Sequence, residues 1–148
     1  VKSMFCLWSL KGYERGGKCK SWAAAVQDAK SVILRAAPMT PEKFSDLLLE
    51  GVRSGEIAFT AKADLELVSQ QYTRAFTSAF SECVKLNYAT LKWPDSRMFE
   101  LAEALAYAVS QGLLKKCGAL YTWGNECTSE GTAAVKKAIE GTKISYGD

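Results

Sequence analysis

The sequence predicts an all-α protein: a five-helix bundle over residues 21–148, preceded by an irregular N-terminal arm, residues 1–20. Apolar residues recur at intervals of three and four in five separate stretches, which is typical of amphipathic helices. Proline and glycine separate these stretches by short connections. Only residues 143–146 hint at the alternation of two that marks a strand. A chain of 148 residues fits one domain with its own core.

The arm combines three glycines with charged side chains, so we expect no regular structure there. It also lacks the long apolar core of a secretory signal peptide. The first helix is predicted from Ser21 to Pro38, with Trp22, Val26 and Ile33 on its apolar face. Proline ends it because its ring and its missing amide hydrogen cannot continue the helix.

A helix-start signal opens the second predicted helix. Thr40 is a favourable N-cap, and Pro41 suits the first helical position. This helix is expected to stop at Gly55. The third helix starts near Ala61 and carries the strongest periodic signal of the chain, up to Val84. Its wide apolar stripe is typical of a helix at the centre of a bundle.

Two further helices complete the predicted bundle. The fourth begins after Pro94 and frays at Gly112, with apolar residues on one face. The fifth is short, is capped by Ser129 and stops at Gly141. The segment between them contains Tyr121, Trp123 and Gly124 and is interpreted as an aromatic loop.

The sequence contains no histidine. This excludes nucleophiles activated by histidine, histidine–metal ligation and proton transfer through an imidazole. Glu100 and Glu103 lie one helical turn apart and could form an acid–base pair, but such a pair is more often a solvated helix face. Cys83 has no histidine to activate it and lies on an apolar face. We therefore predict that the protein is not an enzyme and that it binds neither a cofactor nor a metal.

The length of the apolar runs and the distribution of charge indicate which kinds of partner the chain can have. The longest apolar runs, such as Trp22–Val26, are too short to cross a membrane. The net charge of +3 is too small to indicate nucleic-acid binding. Residues 1–35 hold seven basic and two acidic side chains, whereas residues 36–66 hold three and six. Regions of opposite sign allow copies to associate in a salt-dependent way, although solvated faces of separate helices explain them equally well.

Five cysteines occur without a C-x-x-C pair, so their spacing excludes zinc-finger and thioredoxin-like classes. Two local pairs would each close a loop that contains glycine: Cys6 with Cys19, and Cys117 with Cys127. If both are bridged, the protein is secreted and extracellular, and Cys83 is left unpaired. A reduced cytosolic protein with five thiols is the alternative.

Four stretches resemble the N-terminal domain of spidroins, the spider silk proteins. One of them follows the pattern Ala-Phe-x-Ser-x-apolar-x-Glu in the third predicted helix, and the others lie at the start of the second helix, in the fourth helix and at the tail. These stretches are Ala75–Glu82, Thr40–Asp46, Leu101–Ala108 and Ile144–Gly147.

The resemblance implies a secreted five-helix domain that keeps silk protein soluble and forms an antiparallel homodimer as pH and salt fall. Asp46 matches a family aspartate that meets a lysine of the partner subunit, and Glu82 matches a glutamate whose protonation locks the dimer. That lysine position falls near Val68 here, and Lys62 is the nearest candidate. Two other acidic positions of the family fall at or near uncharged residues, Asn87 and Ala133.

These observations predict a self-association module of a secreted structural protein, which dimerises through charged helix faces in response to pH and salt. Its predicted partner is a second copy of itself, with no nucleic acid or membrane involved. The first alternative is a secreted, disulfide-stapled carrier or effector that binds a small ligand at Tyr121 and Trp123. The second is a cytosolic helical adaptor with free thiols.

Overall fold

The computed structural model describes residues 36–59 and 62–147. The predicted arm, the first predicted helix up to residue 35, and the Cys6–Cys19 pair lie outside these residues. The described elements, in chain order, are α1 (Pro41–Arg53), α2 (Lys62–Glu82), β1 (Lys85–Asn87), α3 (Asp95–Ser110), β2 (Ala119–Tyr121), α4 (Ser129–Ala138) and β3 (Ser145–Gly147).

The prediction of an all-α five-helix bundle is wrong. The described part of the chain contains four helices and a three-stranded sheet in the order β1-β2-β3. Both strand pairs are parallel, and their register aligns Leu86 with Leu120 and Leu120 with Tyr146. Each strand has only three residues, so each places a single side chain toward the core. One inward residue cannot produce a clear alternation in the sequence, so β1 and β2 give no signal there. Strand β3 overlaps residues 143–146, where the sequence hints at a strand.

The helices predicted after residue 40 are present, and their caps explain where they begin. The Thr40 hydroxyl accepts a hydrogen bond from the amide of Lys43 at 3.3 Å, and Pro41 occupies the first helical position. Helix α4 begins one residue after its cap, which is Thr128 and not the predicted Ser129. The Thr128 hydroxyl accepts from the amide of Glu130 at 3.2 Å. Local capping chemistry therefore sets these starts.

Each parallel strand pair is joined by a helix, because parallel neighbours need a crossover connection. Helix α3 joins β1 to β2, and α4 joins β2 to β3. Helix α2 precedes β1 in the same way, so three consecutive helix–strand units stand side by side. Helices α3 and α4 pack against each other, and α1 packs on α2. This arrangement puts the helices on one side of the sheet and leaves its other side uncovered by any described element.

The core lies between the sheet and the helices. The ring of Phe76 on α2 meets the edge of Tyr107 on α3, with their centroids 5.7 Å apart. Tyr72, one turn before Phe76, stacks on Phe44 of α1 at 3.8 Å. The largest fully buried side chains come from α2, α3, α4 and β2, namely Phe76, Met98, Leu101, Leu105, Leu120 and Val135. Helices and sheet therefore share one core.

Asn125 joins the turns that follow β1 and β2. Its side-chain oxygen accepts hydrogen bonds from the amides of Leu91 at 3.0 Å and Trp93 at 3.1 Å. Its side-chain nitrogen donates to the carbonyls of Tyr88 at 2.8 Å and Thr122 at 2.7 Å. Leu91, Trp93 and Thr122 are almost completely buried, so one amide group supplies partners to backbone groups that water does not reach.

We expect Asn125→Ala to lower the free energy of unfolding by about 3 kcal/mol, because buried backbone groups would lose their partners. Urea denaturation measures this as a lower midpoint with an unchanged slope. Asn87→Ala is the matched control, since that exposed side chain accepts only from the amide of Ala89, at 3.1 Å. Equal losses in the two variants would contradict the role assigned to Asn125.

Tyr72 makes stability depend on alkaline pH. Its hydroxyl donates to the carbonyl of Met39 at 2.9 Å, and burial raises the pKa of this phenol from 10.0 to about 12. The folded protein holds the proton more tightly than the unfolded chain, so this contribution is complete below pH 10 and is lost as the pH rises toward 12.

We expect Tyr72→Phe to reduce the loss of stability between about pH 10 and pH 12 by up to about 2 kcal/mol. Denaturant titrations of both proteins across this range measure the difference in slope. Near neutral pH the variant loses the hydrogen bond to Met39. An identical alkaline slope in the two proteins would show that Tyr72 does not couple folding to pH.

Candidate functional site

The side of the sheet that faces away from the helices is the candidate site, and we call it the outer face. Strand residues alternate between the two sides, and Leu120 at the centre of β2 is fully buried. Its neighbours along the strand therefore point outward, together with the residues paired to them. These outward positions are Lys85, Asn87, Ala119, Tyr121, Ser145 and Gly147.

The pairing between the first two units continues beyond the strands and extends the outer face. The amide of Tyr88 donates to the carbonyl of Tyr121, and the amide of Thr90 donates to the carbonyl of Trp123, each at 2.8 Å. Trp123 follows Tyr121 by two residues, and 52% of its surface is exposed. The two aromatic side chains are therefore consecutive on the outer side of the central strand.

A glycine ends this extended pairing. Gly124 has φ +71°, a conformation that side chains with a Cβ rarely adopt. A Cβ there would also lie 2.9 Å from Cγ2 of Thr90. The chain turns inward at this point, which brings Asn125 under the strands while Trp123 stays outside.

Neighbours on both sides hold the Tyr121 ring. The Lys85 ammonium lies 4.5 Å from the centroid of the ring, within range of a cation–π interaction. On the other side, a Cβ added to Gly147 would lie 2.7 Å from Cδ1 of Tyr121, so the ring extends over β3 where that strand has no side chain. The outer face thus presents a half-buried tyrosine ring with a cation over it.

The outer face has little negative charge. None of the six outward strand positions carries a carboxylate. The other outward residues are small or uncharged. A surface of this composition can stack on aromatic or aliphatic groups and can pair with an anion at Lys85.

The predicted aromatic loop is placed differently from the prediction. Tyr121 belongs to strand β2, and only Trp123 and Gly124 lie in a turn. Neither aromatic residue lines the shallow depression at the start of α4, which is formed by Cys127, Thr128, Ser129, Thr132, Ala133 and Lys136.

No hydrogen bond or ion pair among the described residues joins Asp46 to Glu82, two of the residues predicted to control dimerisation. Asp46 is exposed on α1. Glu82 ends α2 and forms an ion pair with Lys116 of its own chain at 3.0 Å. Lys62 begins α2, and its side chain lies outside the described residues. The predicted contact of these residues between two copies stays a prediction.

Glu100 and Glu103 take part in separate surface ion pairs. Glu100 binds Arg97 at 2.6 Å, and Glu103 binds Lys43 at 2.9 Å. Each carboxylate therefore has its own cation on the helix surface. In the described part of the chain, acidic and cysteine side chains form no cluster of three or more that could hold a metal.

Three described cysteines are free thiols: Cys83, Cys117 and Cys127. The bridge predicted between Cys117 and Cys127 is not formed here, and the Cys127 sulfur instead lies 3.7 Å from the hydroxyl oxygen of Thr132. The thiol of Cys83, predicted to stay unpaired, donates to the carbonyl of Phe80 at 3.1 Å and is close enough to the thiol of Cys117 for that group to help raise its pKa.

A repeat in the sequence could have revealed this arrangement. Leu91 and Asn125, which occupy equivalent places after β1 and β2, lie 34 residues apart. The same offset relates every inward position of the two units. The first unit has Cys83, Leu86, Tyr88, Leu91 and Trp93, and the second has Cys117, Leu120, Thr122, Asn125 and Cys127.

Comparison of the chain with protein-family models, with curated proteins and with solved structures finds no match. The resemblance to spidroins therefore stays a prediction, and function is argued from geometry. None of the helices in ranges 36–59 and 62–147 has both the length and the apolar character that a membrane span requires.

Proposed function

We propose that the chain is a repeat-type binding module whose outer face holds an extended segment of another protein. The observation that carries this proposal is an aromatic pair, the half-buried Tyr121 and the exposed Trp123, beside Lys85 on an uncovered parallel sheet. The proposed role of this surface is the binding of a partner.

The repeat spacing supports a solenoid-like module. From Cys117 to Cys127 the inward positions follow the spacing L-x-x-L-x-L-x-x-N-x-L, with Leu120 at the fourth place and Asn125 at the ninth. This spacing is similar to that of leucine-rich repeats, in which each unit adds one strand to a parallel stack. Repeat proteins of this kind use the extended surface formed by successive units to bind partners.

The shape of the outer face favours a polypeptide over a small molecule. A small ligand is normally enclosed by a cleft, whereas Tyr121 and Trp123 lie on an open sheet. Tyrosine and tryptophan are enriched where proteins bind proteins, because they bury a large area at a small entropic cost. Lys85 adds a preference for an acidic side chain next to the group that stacks on the rings.

Selection from a random peptide library on the immobilised protein tests this proposal. We expect enriched peptides to place an acidic residue beside an aromatic or large aliphatic one. Binding of such a peptide should fall about tenfold or more in Trp123→Ala, since exposed tryptophans are frequent hot spots. Lys85→Glu should reverse the charge preference of the selected peptides.

Phe99→Ala is the matched control for Trp123→Ala. Phe99 is another exposed aromatic residue, 46% accessible, but it lies on α3 on the opposite side of the sheet. The control should bind the selected peptide as tightly as the original chain. The proposal fails if both substitutions weaken binding equally, or if no peptide prefers the original chain over Trp123→Ala.

Self-association of a secreted structural protein is the second candidate, and one feature of α1 favours it. Leu49 and Val52 are each 38% exposed on this helix, close to Asp46. An exposed apolar pair on a helix surface is suited to a contact between copies. The resemblance to spidroins implies that such a contact strengthens as pH and salt fall. The secreted location and the antiparallel dimer are proposals that rest on the resemblance to spidroins.

Sedimentation at near-neutral and mildly acidic pH, with and without added salt, tests this second candidate. We expect a dimer at acidic pH and low salt that Leu49→Asp abolishes, because the contact would then bury a charge. Leu67→Asp is the control, since Leu67 is 52% exposed on α2. A monomer under every condition would exclude self-association through α1.

A further inference from the structure

Cys83 and Cys117 occupy equivalent places in consecutive units. The register pairs Lys85 with Ala119, and the amide of Gly118 donates to the carbonyl of Val84 at 2.9 Å. The pairing therefore extends to Val84 and Gly118, one residue before each strand. Cys83 and Cys117 immediately precede these two residues. Paired strands lie about 4.8 Å apart, within the range of Cα separations that disulfides span.

Both thiols lie on the inner side of the sheet, and each one contacts a nearby backbone carbonyl. The Cys83 sulfur lies 3.1 Å from the carbonyl oxygen of Phe80, and the Cys117 sulfur lies 3.5 Å from that of Ala119. The two thiols are also close enough for Cys117 to contribute to the raised pKa of Cys83. Cys117 is 4% exposed, whereas Cys83 is partly accessible, so an external reagent reaches Cys83 first.

We propose that Cys83 and Cys117 form a disulfide that links the first two strands when the protein meets an oxidising thiol–disulfide pool. The bond joins two positions already in register, so it needs no rearrangement of the sheet. This inference does not depend on the proposed function of the outer face.

The chemistry uses a low-molecular-weight disulfide, such as oxidised glutathione, as the oxidant. The Cys83 thiolate attacks one glutathione sulfur, forms a mixed disulfide and expels one glutathione thiolate. The Cys117 thiolate then attacks the Cys83 sulfur and expels the second. The protein loses two electrons and two protons, and one oxidised glutathione becomes two reduced ones.

The rate of this reaction depends on pH. Burial, together with the neighbouring Cys117, raises the pKa of the Cys83 thiol from 9.0 to about 12. The thiolate is the attacking form, and its fraction rises about tenfold for each pH unit below that pKa. We therefore expect the bond to form slowly near neutral pH and much faster in mildly alkaline solution.

Peptide mapping of the full chain after incubation with oxidised glutathione tests the proposal. Trypsin followed by glutamyl endopeptidase, which cleaves after Glu126, places Cys83, Cys117 and Cys127 in different peptides. We expect a disulfide between the Cys83 and Cys117 peptides, and a rise of about 10 °C in the melting temperature of the oxidised protein.

Two variants, each with one cysteine replaced, show which thiols form the disulfide. Cys117→Ser should stop at the mixed disulfide of Cys83 with glutathione, because the second thiol is missing. Cys127→Ser should form the bridge as the original chain does. A bridge between Cys117 and Cys127, a bridge to a cysteine of the N-terminal arm, or a mixed disulfide that persists in the original chain would each overturn the proposal.

Discussion

The four hydrogen bonds of Asn125 are the constraint on which the rest of the structure depends. After each strand the chain must turn toward the helices, and this places peptide groups where neither water nor the sheet can satisfy them. One side chain solves the problem for two units at once, since it donates to Tyr88 and Thr122 and accepts from Leu91 and Trp93. Only an amide of this length offers two donors and two acceptors. A carboxylate would lack the donors, and an apolar residue would lack both.

A second set of hydrogen bonds joins the same two connections, at the points where they lead into α3 and α4. Asp95 at the start of α3 accepts from the amide of Thr128 at 2.8 Å and from its hydroxyl at 2.9 Å. Thr128 in turn caps α4. Gly131 contacts the carboxylate of Asp95, and a side chain there would displace it. With both ends of the connection held, β1 and β2 keep their register, and Lys85 stays over the ring of Tyr121.

The helices after residue 40 could be predicted because their signals are local. Thr40 and Pro41 specify the start of α1, and heptad-like spacing of large apolar residues specifies α2. The sheet could not be predicted in this way, because its information is not local: Leu86 and Leu120 are isolated apolar residues until they are placed side by side. The repeat offset was present in the sequence, but Leu91 in one unit replaces the polar residue that Asn125 supplies in the other. The outer face was found only in part, as an aromatic loop, since nothing near Tyr121 indicates that Lys85 is its neighbour.

Parallel stacking turns single positions into rows, and each row has its own chemistry. The inner row of Leu86, Leu120 and Tyr146 holds the core together, whereas the outward positions carry the aromatic surface. The row just before the strands holds two thiols, because the same inward place in both units is a cysteine. A bond within that row would leave the outer face unchanged while preventing the two units from separating. Binding and redox chemistry can therefore occupy one small sheet without competing for the same side chains.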